Sequence, residues 1–172
     1  MLTVLPLCAL AACYGGDDSS DARATPAAEA VTEIYPVGVV VARDAKSTIR
    51  GIYAAAGSGD AQSCCWVGPD ARFRVYADPD VKSIQLTVYE PAIGNLAASQ
   101  KVTLLDGKGK PFSSHRVVPG LQTFSLAVPR SVVNYGAVAV RLHMSNAIVP
   151  KDIGMNTDPR KLSIILRAVS AE

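Results

Sequence analysis

Val138-Ala139-Val140-Arg141-Leu142-His143-Met144 is apolar at every second position. Successive side chains of a β-strand point to opposite faces. Val138, Val140, Leu142 and Met144 therefore form an inward row, and Ala139, Arg141 and His143 an outward one. The same two-residue period recurs on both sides of this stretch. Ala71, Phe73 and Val75 alternate with Arg72 and Arg74, and Ile84, Leu86 and Val88 with Gln85 and Thr87. Val102 and Leu104 flank Thr103, while Phe124, Leu126 and Val128 alternate with Ser125 and Ala127. Leu162, Ile164, Leu166 and Ala168 alternate with Ser163, Ile165 and Arg167. The continuous apolar run Val37 to Val41 predicts an early strand. Ala92 to Ala98 suits either a turn of helix or a loop, and no long amphipathic helix is predicted.

Turn chemistry separates these runs. Asp78-Pro79-Asp80, Glu90-Pro91, Asp106-Gly107-Lys108-Gly109, Pro119-Gly120, Asn134-Tyr135-Gly136 and Asp158-Pro159-Arg160 supply residues that end strands or bend the chain. Short alternating strands at this spacing predict an all-β fold, an antiparallel β-sandwich of jelly-roll or immunoglobulin-like type. The chain has 172 residues, 49% hydrophobic and 19% charged, which suits one domain with a real core. Its net charge of +2 arises from 17 basic and 15 acidic residues and gives no basis for a nucleic-acid partner.

Residues 1–12 are read as a signal peptide, 13–33 as a lipidated flexible tether and 34–172 as the β-sandwich domain. The run from Leu2 to Ala12 is apolar, too short to span a bilayer, and ends in Leu10-Ala11-Ala12-Cys13. Small residues before the cut suit the narrow cleft of a signal peptidase. This segment resembles the lipobox of bacterial lipoproteins, although no Lys or Arg precedes Cys13. The resemblance implies a diacylglycerol thioether on Cys13, and hence a membrane contact through lipid. Cys8 fits less well, because Pro6 and Leu7 precede it. Tyr14 follows the cysteine where Asp would signal inner-membrane retention. The implied location is the cell envelope, lipid-anchored and extracytoplasmic, at the outer membrane or periplasmic face in a two-membrane host. From Gly15 to Glu33 the chain is polar or alanine-rich without apolar period, as a tether requires.

No catalytic set is legible. The two histidines, His115 and His143, are read as surface residues. Gly57-Ser58-Gly59-Asp60 lacks the continuation of a phosphate loop, and Asp78 and Asp80 read as turn residues rather than calcium ligands. No Cys/His spacing suits zinc, so neither a metal nor a cofactor is expected. Paired carboxylates of a hydrolase can lie far apart in sequence, but a non-enzyme is the preferred reading.

Ser63-Cys64-Cys65-Trp66 is the most unusual local feature. Cys64 and Cys65 could pair in an oxidising compartment, although adjacent Cα atoms ~3.8 Å apart strain such a bridge. Trp66 with Cys64 and Cys65 is then a candidate ligand-binding platform on which sugar C–H faces could stack. The plainer alternative makes Cys64 and Cys65 two small buried hydrophobes and Trp66, the chain's single tryptophan, a core anchor, with Cys64 and Trp66 on one face and Cys65 on the other; this is preferred for the ring itself.

Gly51-Ile52-Tyr53, Cys65-Trp66-Val67-Gly68-Pro69-Asp70-Ala71-Arg72-Phe73 and Asp158-Pro159-Arg160-Lys161-Leu162-Ser163-Ile164 occur in an order that resembles the β-sandwich domains appended to membrane glycosyltransferases and phosphoglycerol transferases of bacterial envelope polysaccharide synthesis. Ser163 stands where glycine is usual in that family, and no transferase domain is present. The resemblance implies a sandwich in a carbohydrate context. It also suggests that Asp158 and Arg160 form an interior structural pair fixing the last strand. The function expected is a lipid-anchored, non-catalytic accessory module that binds envelope or extracellular glycan. The alternative is a structural or protein-interaction lipoprotein with an envelope protein partner and no glycan.

Overall fold

The structure is a computed structural model that describes residues 33–40, 49–53, 55–56 and 64–172. Cys13, the expected signal peptide, nearly all of the expected tether, the end of the Val37 to Val41 run and the loop 57–60 lie outside the described residues. Val31–Glu172 forms one compact unit.

Its strands are β1 (Glu33–Ile34), β2 (Arg50–Tyr53), β3 (Ala55–Ala56), β4 (Trp66–Tyr76), β5 (Ser83–Glu90), β6 (Gln100–Leu105), β7 (Pro111–Val117), β8 (Gly120–Ala127), β9 (Val133–Asn134), β10 (Ala137–Met144) and β11 (Ile164–Ala171). Nine of them form an antiparallel sheet along the path β7-β6-β10-β4-β11-β5-β8, with β2 added to β4 and β9 to β10; β1 and β3 pair apart from it. The all-β fold expected from the alternation is the fold observed.

β4 organises the sheet because its two halves have different neighbours. Residues 70–76 pair with β10, while Trp66 and Val67 pair with β11 and β2. The sheet curls until its two terminal strands meet. The His115 ring of β7 stacks on Phe124 of β8, with centroids 4.1 Å apart and planes 12° from parallel. The result is a nearly closed, sandwich-like barrel. Drawing the end strands together protects edges that would otherwise present unpaired backbone groups. His115 is thus half-buried at the seam, a correction to its expected surface role. The reading failed because the partner strand lies at the far end of the sheet path.

The inward rows meet in one core that includes Phe73, Val75, Leu86, Leu104, Leu142 and Ile164, all buried. Each such side chain contributes roughly 1.5–3 kcal/mol on leaving water. Two alternation readings require correction. In β11 a bulge between Leu166 and Ala168 shifts the register, so Val169 enters the core in place of the expected Ala168. A bulge adds one residue to one strand, and everything beyond it exchanges faces. Ser163, expected outward, is fully buried ahead of β11 and donates its hydroxyl to the Asn146 carbonyl at 2.7 Å. The expected early strand at Val37 is reduced to isolated bridges, Val37 to Ala168 and Val39 to Val75. Gly38 interrupts it with φ +87°, held where an added Cβ would lie 1.8 Å from the Val169 carbonyl oxygen. The segment Ala92 to Ala98 contains a short 3-10 helix, Gly94–Ala97.

Candidate functional site

Trp66 opens β4 with Tyr53 of β2 opposite it on one side and Ile165 of β11 on the other. Its half-buried ring packs on a satellite cluster of Leu96, Ile148 and Leu162. Cys64 and Cys65 are joined by a disulfide and lie inside, at 1% and 2% exposure. Cys65 also exchanges both backbone hydrogen bonds with Leu166. The platform expectation is corrected for the cysteines: no disulfide plate faces solvent, because both side chains are buried in the main core. Trp66, only half-buried, packs beside Leu96 and Ile148 at the end of the sheet.

The expected Asp158–Arg160 pair forms, but at the surface. Arg160 Nη2 donates to Asp158 Oδ2 at 2.6 Å, and Arg160 Nε to Asp158 Oδ1 at 2.9 Å. Its guanidinium also lies over the Tyr53 ring, 4.5 Å from the centroid. Hydrogen bonds from the Arg160 side chain, then from its backbone N–H, hold the Asp158 carboxyl down at about 2. The interior placement is corrected. The turn carries both residues past the sheet, and Arg160 reaches back over Tyr53 from solvent.

The buried polar group that sequence reading missed is Glu90. Its side chain is fully enclosed, as is that of Gln100. Gln100 Nε2 donates to both Glu90 carboxyl oxygens, at 3.1 and 2.9 Å, while Gln100 Oε1 accepts the Asn146 N–H at 3.1 Å. Burial pushes the Glu90 carboxyl up to about 7, against a smaller downward pull from Gln100. Asn146 also accepts from Ser163, so this network ties β5, β6 and the entry to β11 together. With its acceptors occupied and no solvent path, it is structural. Glu90-Pro91 had read simply as a strand stop.

One open concave feature lies elsewhere. The outward row of β4 is Asp70, Arg72, Arg74 and Tyr76, and on β10 it is His143, Arg141 and Ala139. Register places His143 opposite Asp70, Arg141 opposite Arg72, and Ala139 opposite Arg74. A groove of about 330 Å³ opens over these rows, walled by Asp106 and Gly107 of the β6–β7 hairpin and by Ser131 and Asn134 before β10. That volume falls at the low end of small-ligand clefts, ~300–1,000 Å³. Asp106 shapes one wall: its Oδ1 accepts the N–H groups of Lys108 and Lys110, both at 2.8 Å. Those backbone hydrogen bonds hold its carboxyl below the usual range. Gly109 lets the hairpin lie close, since a Cβ there would be 3.3 Å from Arg141 Nη1. Tyr76 continues the β4 row at 73% exposure, and Tyr135 at the β9–β10 turn is 95% exposed. The signal for this site was legible as Arg72, Arg74 and Arg141 in outward phase; what brings them together is the β4–β10 register.

Among the described residues, no group of three or more His, Cys, Asp or Glu is placed to hold a metal. No family model, curated protein or solved structure matches this chain.

Proposed function

We propose that this chain is a lipid-anchored, non-catalytic accessory module of the cell envelope that binds extracytoplasmic glycan, with the groove over β4 and β10 as its binding face. The groove carries the proposal: an outward concavity bounded by hydrogen-bonding side chains (Arg72, Arg74, Ser131, Asn134), with the exposed Tyr76 ring next in the same row. Sugars need this mixture, since hydroxyls take directed hydrogen bonds while C–H faces stack on an aromatic surface. The resemblance of Leu10-Ala11-Ala12-Cys13 to a lipobox supports the anchor. The alternative, protein-interaction role has one observation in its favour. Leu121 and Tyr89 are cross-strand neighbours, and both are exposed, as is nearby Val118.

The test is retention of the full chain on immobilised neutral and acidic polysaccharides, beside a Tyr76→Ala/Asn134→Ala variant with an unchanged melting curve. Retention of the native chain, lost in the variant, is expected. Retention of neither, or of both equally, removes the groove as a glycan site. For the anchor, Cys13→Ser is expected to move the protein from the membrane to the soluble fraction; unchanged fractionation counts against lipidation.

A further inference from the structure

We infer that the groove over β4 and β10 recognises an oxyanion on its ligand, so that the glycan class it takes is acidic, bearing carboxylate or sulfate-type groups. This rests on the glycan reading above and specifies it.

Three guanidinium groups, those of Arg72, Arg74 and Arg141, line the groove against a single carboxylate, Asp106. Arg72 and Arg141 stand directly opposite one another in the β4–β10 register, and Arg50 of β2 stands opposite Arg72 as well. Cross-strand like charges at such positions are destabilising. Among the described residues, no ion pair compensates them. The ion pairs among the described residues are His143 with Asp70 and Arg160 with Asp158. Asp70, the other acid on the same row, is thus engaged by His143 at 2.9 Å. Asp106 directs its Oδ1 into its own hairpin. No described carboxylate is within ion-pair distance of Arg50, Arg72, Arg74 or Arg141.

Arg141 adds an independent observation. Its Nε is buried and, like that of Arg167 outside the groove, has no hydrogen-bond partner among the described residues. Buried donors in folded proteins are nearly always satisfied, and an orphan calls for an explanation. Hairpin residue Gly109 lies against the same guanidinium, so Arg141 is partly shielded from water on that side. Planar guanidinium forks match carboxylate, sulfate and phosphate oxygens in paired hydrogen bonds. An oxyanion in the groove would pair with the guanidinium groups that line it and neutralise the repulsion across the β4–β10 pair. Ser131 and Asn134 on the opposite wall are left to hydrogen-bond neutral hydroxyls of the same ligand.

The test titrates the full chain with polygalacturonate (carboxylates), dextran sulfate (sulfate esters) and neutral dextran. The native chain is compared with Arg72→Gln/Arg141→Gln and with a charge-matched control, Lys151→Gln/Lys161→Gln, outside the groove. Expected are binding of at least one acidic probe, weakening with salt, and a loss of ~tenfold or more in the arginine variant but not in the lysine control. The lost arginines relieve repulsion, so that variant should melt no lower than the native chain, which separates lost binding from lost folding. Equal loss in both variants would show attraction to net charge and overturn the inference. Neutral dextran bound as tightly as the acidic probes, with no effect of the arginine changes, overturns it while leaving the glycan reading intact. Binding of no polysaccharide removes both.

Discussion

Glu90 is a carboxylic acid enclosed by protein, and the chain's pH dependence should carry its mark. Its folded-state pKa of about 7 lies above the ordinary 4.5 because burial disfavours the charged form. Between those values the unfolded chain has released the proton and the folded chain holds it. Stability is then greatest below about 4.5 and declines as pH rises toward 7. Glu90→Gln keeps an acceptor for Gln100 and removes the titration. Denaturant melts at pH 8 are expected to show the variant more stable by roughly 1–3 kcal/mol, with the difference vanishing near pH 4; a constant difference across pH would contradict the assignment. Asp158 acts with the opposite sign. Its pKa is held at about 2, so its contribution is present above the ordinary 3.8 and disappears as pH falls through 2. Arg160→Gln should return the Asp158 carboxyl toward its ordinary value in an NMR titration, with little change in melting, as expected of an exposed pair. The sequence pointed to the Asp158–Arg160 contact only through its resemblance to a family. It did not carry their exposure or the burial of Glu90, which depend on what other strands cover.

At the scale of the element, alternation located β4, β5, β6, β8 and β10, because each buries one face and leaves the other wet. It failed at Val37 and beyond Leu166, where the backbone departs from regular pairing. Gly38 adopts a positive φ to press against β11, and the β11 bulge moves Val169 inward. Gly38→Ala is expected to destabilise the chain by on the order of 2 kcal/mol, since both the φ and the contact with the Val169 carbonyl resist a Cβ. Hydrogen exchange should report it locally, as lost protection at the Val37 and Val169 amides, whose bonds tie this segment to β11. The barrel seam offers a second check. Phe124 is buried under the His115 ring, so Phe124→Ala should cost ~3 kcal/mol or more in a denaturant melt. A cost below 1 kcal/mol would mean that the contact between β7 and β8 contributes little to closure.

For the molecule as a whole, a net charge of +2 conceals an uneven distribution, with arginines gathered over β4 and β10 and Asp70 of the same row engaged by His143. Added salt should raise the native melting temperature by screening the Arg72–Arg141 repulsion, and this gain should shrink in Arg72→Gln; equal salt responses would show that the cluster carries no strain. The sequence by itself determined the all-β class, the positions of most strands and turns, and which side chains of β4, β5, β6, β8 and β10 face out, because these follow from short-range backbone geometry and apolar periodicity. Only the tertiary structure decided that Cys64 and Cys65 face inward, that His115 closes a seam, and that Arg141 stands across from Arg72. Those outcomes depend on which distant strands pair and in what register, and no local pattern of residues encodes that choice.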